Sequence, residues 1–125
     1  WVVQNLPPSK PRHLLGIGYV EDIPRLIKSG VDTFDCIVPT HYARRGIAFT
    51  ATGRLDINKA KFLRDKNPLD KTCHCFVCQG YKRNYITHLL RAKEITALKL
   101  LTFHNLYFFN AVVENYRKLI KQDKL

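Results

Sequence analysis

The sequence predicts an α/β fold, and three patterns indicate it. Two short apolar segments flank a segment with helical spacing, which is the pattern of a strand-helix-strand unit. Two further strand-like segments surround a glycine-containing turn, and the residues after a cluster of cysteines keep a helical period. A chain of 125 residues is long enough to bury a core of its own.

The strand-helix-strand unit follows a lead-in that three prolines keep extended. Residues 13–17 predict the first strand, and residues 21–29 predict a helix with Pro24 in its first turn, where a missing N–H is tolerated. Gly30 is placed to end this helix, and residues 33–38 predict the second strand. A crossover through a helix implies that the two strands are parallel.

The middle and the end of the chain predict a hairpin followed by helices. Residues 46–50 and 54–57 are short strands around a turn at residues 51–53. After the cysteines, apolar residues at helical spacing predict two buried stripes. The first stripe comprises Tyr85, Leu89, Ala92 and Ile95, and the second comprises Leu106, Phe109, Val113, Tyr116 and Ile120.

Net charge is the unusual feature of the composition. Lys and Arg number 21 against 10 Asp and Glu, which gives a net charge of +11. Such an excess favours a polyanionic partner over a merely solubilising surface, and tyrosines and asparagines among the basic residues favour nucleic acid. No apolar run approaches the roughly 18 residues that span a bilayer, so we expect a cytoplasmic protein without a membrane partner. The start at Trp1, without Met, indicates a piece of a longer chain.

The cysteines predict a metal site. Cys73, Cys75 and Cys78 lie within six consecutive positions, which in a basic cytoplasmic protein indicates metal binding rather than disulfides. Three thiolates and one imidazole complete a tetrahedral Zn²⁺ shell with no open position, so the ion would be structural.

Three histidines are candidates for the fourth zinc ligand. His74 lies between two ligands and would point away from the ion. His88 is on a predicted helix and is close enough to the cysteines to remain a candidate. His104 is favoured because it begins the second predicted helix, where its imidazole would tie that helix to the cysteines.

Asp35 is an acidic residue within an otherwise apolar predicted strand. A carboxylate there is costly unless it is hydrogen-bonded, paired or functional. Catalytic groups of β/α barrels stand at the carboxyl ends of strands, which is about the position of Asp35. A carboxylate that caps neighbouring backbone amides is the structural alternative.

Several motifs together closely resemble the tRNA-guanine transglycosylase family, in particular its bacterial branch. The resemblance covers essentially the whole chain. Its main motif is Phe34-Asp35-Cys36-Ile37-Val38-Pro39-Thr40, followed by the cysteine cluster and by His104-Asn105-Leu106. Residues 10–18, 58–61 and 68–70 also follow the family's order and spacing. This resemblance implies the C-terminal part of a β/α (TIM-like) barrel over residues 1–45, and a zinc-binding subdomain with C-terminal helices over residues 46–125.

The resemblance also implies an activity and its residues. Members replace guanine at the wobble position of a tRNA anticodon loop with a 7-deazaguanine base, either 7-aminomethyl-7-deazaguanine or queuine, through a covalent link between Asp35 and ribose. Leu15 and Gly16 match positions that line the base pocket, and Arg44 matches a tRNA-contacting arginine with Arg45 beside it. His41 stands where the family usually has an arginine, and it could still donate a hydrogen bond to tRNA.

The remaining implications concern metal, assembly and scope. The family ligand set is Cys73, Cys75, Cys78 and His104, and a homodimer of the full-length protein would use Tyr81, Tyr85 and His88. A complete barrel needs roughly 250 residues, so we expect the isolated chain to lack exchange activity. Two alternatives are a nucleophile-free partner subunit, which the presence of Asp35 opposes, and a non-catalytic zinc-stabilised module for RNA binding or dimerisation.

Overall fold

The computed structural model describes residues 3–124, which form two units. One unit is Pro39–Asn110, and the other consists of the residues before Pro39 together with those after Asn110. The fold is mixed α/β, with short strands and a helical C-terminal half. No helix within residues 3–124 is both long and apolar enough to cross a membrane.

The order of the predicted strand-helix-strand unit is confirmed, although the first strand, predicted over residues 13–17, ends at Leu14. Its elements are a 3₁₀ helix at Val3–Asn5, then β1 (His13–Leu14), α1 (Ile23–Lys28) and β2 (Thr33–Phe34). The strands β1 and β2 are parallel, with His13 opposite Thr33 and Leu14 opposite Phe34. Pro24 lies in the first turn of α1, and Gly30 follows its end with φ +89°, a conformation that glycine adopts at little cost.

The second predicted strand, residues 33–38, is wrong in its last part. The strand ends at Phe34, and a helix, α2 (Val38–Ala43), begins where the strand was expected to continue. Pro39 explains this start, because its fixed φ suits the first helical turn and its missing N–H is not needed there. Asp35 therefore directly follows the strand instead of lying inside it.

The predicted hairpin is confirmed. It consists of β3 (Ile47–Thr50) and β4 (Gly53–Asp56), which pair antiparallel around the two-residue turn Ala51-Thr52. Gly53 has φ +114°, and the Thr50 hydroxyl donates to the Gly53 carbonyl at 2.7 Å. These two features close the turn.

The helical character of the remainder is confirmed, but both predicted stripes are displaced. A 3₁₀ helix at Ala60–Arg64 is followed by α3 (Phe76–Gly80), α4 (Arg83–Arg91) and α5 (Ile95–Lys121). Lys93 has φ +58° between α4 and α5, so no continuous stripe can run from Tyr85 to Ile95, and Ile95 is 64% exposed. The buried face of α4 is instead Ile86, Thr87 and Leu89.

The buried face of α5 contains two polar residues. It comprises Ala97, Leu100, Leu101, His104, Asn105 and Phe109, of which only Phe109 belonged to the predicted stripe. A count of apolar residues misses this face because His104 and Asn105 interrupt it. Ala97, Leu100 and Leu101 of this face join buried residues of the hairpin, the Ala60–Arg64 helix, α3 and α4 in the hydrophobic core of the unit Pro39–Asn110.

Candidate functional site

The three cysteines of the predicted metal site are brought together by a turn and a short helix. The Cys73 amide donates to the Asp70 carbonyl at 3.4 Å, which closes the turn. Cys75 caps the N-terminus of α3, where its Sγ accepts a hydrogen bond from the Cys78 amide at 3.4 Å. Cys75 and Cys78 are buried, and Cys73 is half-buried.

The four candidate ligand atoms have the spacing of a zinc site. The three Sγ atoms and one nitrogen of His104 all lie within 4.8 Å of one another. His104 Nδ1 is 3.4 Å from Sγ of Cys75 and of Cys78, and 3.9 Å from Sγ of Cys73. A tetrahedral Zn²⁺ with ordinary bond lengths places sulfur and nitrogen about 3.6 Å apart. The cluster is therefore suited to hold a structural zinc ion.

The electrostatics of the thiols also fit a cation. Burial raises the pKa of both the Cys73 and the Cys78 thiol, and neighbouring thiols add to the effect. Adjacent thiolates would not be stable here on their own, whereas a coordinated divalent ion stabilises them directly. With three sulfurs and one imidazole the shell is closed, so the ion would stabilise the fold and leave no position for a substrate.

His104 is oriented as a ligand by a second hydrogen bond. Its side chain is fully buried, and Nε2 donates to the Phe49 carbonyl of β3 at 2.8 Å. Because a carbonyl only accepts, the proton resides on Nε2 and the Nδ1 lone pair faces the sulfurs. Burial lowers the pKa of His104, against the opposing effects of Phe49 and Asp70, so the imidazole stays neutral as a metal ligand must.

The choice among the three histidines is thereby decided. His74 and His88 are exposed, and neither belongs to the metal-binding cluster within the described residues. One reason given for His104 is wrong, because it does not begin a helix but lies inside α5 (Ile95–Lys121). The imidazole still ties this helix to the cysteines, as expected.

Asn105, which the sequence reasoning did not single out as a structural residue, fixes the backbone beside His104. It is fully buried. Its Nδ2 donates to the carbonyls of Pro39 at 3.0 Å and Ile47 at 2.9 Å, and its Oδ1 accepts from the Phe49 amide at 3.0 Å. Two adjacent residues of α5 thus hold β3 and the start of α2. In the sequence, the signal for this role was a pair of adjacent polar residues within an otherwise apolar helix face.

Asp35 lies in the other unit, at the carboxyl ends of β1 and β2. One carboxylate oxygen, Oδ1, accepts from the Gly16 amide at 3.2 Å and lies 3.3 Å from Nε2 of His13. The opposite ring nitrogen of His13 is 2.8 Å from the Thr33 hydroxyl. The Asp35 side chain is 61% exposed, so one oxygen is oriented by the fold while the carboxylate remains accessible.

His13 and Thr33 are polar groups that the sequence reasoning missed. They are opposite one another in the parallel pair, and Asp35 lies two residues beyond Thr33 on the same face. The period of two in these strands was a signal that could have identified them. Thr33, His13 and Asp35 form a continuous chain of polar contacts.

The neighbours of Asp35 have distinct environments. Leu15 is 76% exposed, and Gly16 has φ +70°, which brings its amide towards the carboxylate. The Cys36 thiol donates to the Gly18 carbonyl at 3.2 Å. Burial, with the Asp35 charge adding to it, raises the pKa of Cys36 against the opposing effect of the Val38 backbone, which favours the protonated thiol over the nucleophilic thiolate.

The three predicted tRNA-contacting residues are at and after α2 (Val38–Ala43). His41 is half-buried and makes an edge-on contact with the Tyr42 ring, at 5.8 Å between ring centres. Arg44 and Arg45 follow the end of the helix and are exposed. The helix end thus presents two guanidinium groups to solvent.

Comparison with known proteins gives one consistent result. The model of the family described as queuine tRNA-ribosyltransferase matches residues 1–125. The chain is 46% identical to queuine tRNA-ribosyltransferase of Halothermothrix orenii over 125 residues, covering 100% of this chain and 34% of that protein. It is 46% identical to the Bacillus subtilis protein of the same name over 120 residues, covering 96% and 32% respectively. The chain therefore spans about a third of the length of these curated relatives.

Proposed function

Because this chain belongs to the queuine tRNA-ribosyltransferase family, we propose that the full-length protein is a tRNA-guanine transglycosylase. It would replace guanine at the anticodon wobble position with 7-aminomethyl-7-deazaguanine or queuine, as a pentosyltransferase of queuosine modification. The observation that carries this proposal is the family match across all 125 residues, which includes Asp35 in its motif.

Asp35 is the proposed nucleophile. Its carboxylate would attack C1′ of the ribose, the bond to guanine would break, and the incoming base would displace Asp35 in a second step with net retention. Hydrogen bonding supports this role, because Oδ1 is held by the Gly16 amide and lies beside His13. The contacts with Gly16 and His13 both involve Oδ1, and the side chain is 61% exposed, so Oδ2 is the proposed attacking oxygen.

The base pocket is proposed to lie around Leu15 and Gly16. The Leu15 side chain is 76% exposed and could cover one face of a planar base, while Gly16 has no Cβ to hinder close approach. Water must be kept from a ribosyl intermediate, since hydrolysis would leave an abasic tRNA. Asp35 is 61% exposed in this chain, so we propose that the remainder of the full-length protein covers it.

We propose that His41, Arg44 and Arg45 contact the tRNA anticodon loop. The two arginines are exposed and can donate bidentate hydrogen bonds to phosphate or base edges. His41 offers one N–H donor where the family usually has a guanidinium, which would weaken that contact.

The proposed organisation of the full-length protein follows the family. Residues 1–45 would be the last strand and helix units of a β/α barrel, and residues 46–125 would be the zinc subdomain with its C-terminal helices. Tyr81 and Tyr85 stack with ring centres 5.8 Å apart, and Tyr85 is 45% exposed, which supports a homodimer contact including His88. A cytoplasmic location fits a tRNA substrate.

The proposal is tested by guanine exchange. Labelled guanine should enter tRNA in the presence of the full-length protein and should not enter with the isolated 125-residue chain. Exchange by the isolated chain would contradict our division of the active site, and absence of exchange by the full-length protein would favour a non-catalytic module. That alternative has one supporting observation, the strongly basic charge of the zinc-bearing unit.

A further inference from the structure

Most of the positive charge is carried by the zinc-bearing unit. Residues 39–110 contain thirteen Lys and Arg against four Asp and Glu, which is +9 of the total +11. The excess is therefore not a uniform property of the chain. Charge concentrated on one folded unit is typical of a surface that meets a polyanion.

Three of the four carboxylates in this unit are engaged within the fold. Asp65 pairs with Arg83 at 3.0 Å. Asp70 is buried and accepts from the Ala51 amide at 2.7 Å, and Asp56 accepts from the Asn58 side chain at 2.9 Å. The contacts described for these three carboxylates are therefore with partners other than Lys59, Lys61 and Arg64.

The 3₁₀ helix Ala60–Arg64 presents two of these bases on a rigid support. A 3₁₀ helix has three residues per turn, so Lys61 and Arg64 lie on the same edge, about 6 Å apart along the axis. Phe62 is 5% exposed and anchors the helix in the core, with the Arg83 guanidinium 5.6 Å from its ring centre. Lys61 and Arg64 are exposed, and no ion pair within residues 3–124 engages either, although the Lys61 ammonium lies 5.0 Å from the Phe62 ring centre.

A hydrogen bond connects this helix to the arginines after α2. The Asn58 side chain donates to the Arg45 carbonyl at 2.9 Å, which places the exposed Lys59, the next residue after Asn58, near Arg45. We name as the basic strip the four exposed basic side chains of Arg45, Lys59, Lys61 and Arg64.

We propose that the basic strip binds the sugar-phosphate backbone of the RNA substrate and extends the contact beyond the three residues assigned above. This proposal rests on the proposed tRNA substrate. The ring of Phe62 is buried, so the strip offers cations without an aromatic surface for base stacking. Such contacts position an RNA without reading its sequence.

The test compares two double variants of the full-length protein. Lys61→Gln/Arg64→Gln removes two charges of the strip, and Arg91→Gln/Lys99→Gln removes two exposed charges from α4 and α5. Binding of tRNA is titrated at several salt concentrations. The strip variant should bind about tenfold more weakly, and the slope of log K against log salt should become shallower by about 1.4, since each phosphate contact on single-stranded RNA contributes about 0.7. The control should retain wild-type affinity and slope.

Equal affinities and slopes for the wild-type protein and the strip variant would overturn the proposal, as would an equal loss in both double variants. Zinc content and thermal midpoint should match wild type in each variant, because all four side chains are exposed. The binding titration is independent of base exchange. A protein that binds tRNA through the strip but exchanges no base would therefore refute the proposed function and leave the strip in place.

Discussion

Replacing Asn105 with leucine tests how the polar pair on α5 stabilises the zinc-bearing unit. The side chain is fully buried and makes three hydrogen bonds to the backbone of Pro39, Ile47 and Phe49. Leucine has a similar volume but leaves two carbonyls and one amide without these partners. At about 1–3 kcal/mol for each unpaired buried group, offset by the added apolar burial, the unfolding free energy should fall by about 3–5 kcal/mol.

Urea titration of the zinc-loaded protein measures this loss, and two further variants frame it. Asn110→Leu is the matched control, because Asn110 is exposed and its one hydrogen bond joins it to Leu106 in the same helix. It should cost less than about 0.5 kcal/mol. Asn105→Asp retains the acceptor and loses the two donors. Its cost in unfolding free energy should lie between those of Asn110→Leu and Asn105→Leu if the carboxyl group is protonated, and should be larger if it stays charged. A loss below about 1 kcal/mol for Asn105→Leu, equal to the control, would refute the reasoning.

Three other predictions follow from the sites. Elemental analysis should show that Cys75→Ser lowers the zinc content from about one ion per chain to nearly none, whereas Cys36→Ser keeps it. Full zinc content in Cys75→Ser would refute the ligand set. In the full-length protein, His13→Phe should lower kcat about tenfold with little change in KM for tRNA, whereas His74→Phe should leave both unchanged; equal kcat values would exclude positioning of Asp35 by His13. Burial raises the pKa of Asp65, but hydrogen bonds from Asn67 and Arg83 outweigh it and leave the pKa below its ordinary value. This carboxylate therefore stabilises the fold above pH about 4, and the stabilisation is lost as the pH falls through the folded-state pKa. Asp65→Asn should therefore make the urea midpoint fall less steeply as the pH is lowered from about 5 to 3. An equally steep fall of the urea midpoint in the wild-type protein and in Asp65→Asn would contradict this prediction.

The local elements were largely predictable because turn and helix-end chemistry is local. Pro24, Gly30 and Gly53 each mark a boundary that the structure confirms. Pro39 was misread, since proline ends strands and begins helices equally well, and only the chain beyond it distinguishes the two. The displaced stripe on α5 has a different cause. His104 and Asn105 are buried because of their partners in β3, α2 and the cysteine cluster, and such tertiary contacts are absent from a hydropathy pattern.

Three of the four metal ligands were predictable from the residues, because three cysteines within six positions restrict the chemistry to few solutions. The fourth, His104, followed from the family resemblance, since the helix start expected at that residue is not there. The tautomer of His104 was not predictable, since it depends on the Phe49 carbonyl from a separate strand. The surroundings of Asp35 likewise required the register of β1 against β2, which places His13 opposite Thr33 and beside the carboxylate.

The central claim, that Asp35 is the nucleophile of a transglycosylase, is tested most directly by the covalent intermediate. Full-length protein incubated with tRNA should give a complex that survives denaturing electrophoresis and disappears when the incoming base is added. Asp35→Asn should form no such complex while binding tRNA with nearly unchanged affinity, because the amide keeps the size of the carboxylate but is not a nucleophile. A denaturant-resistant complex formed by Asp35→Asn would remove Asp35 from this role.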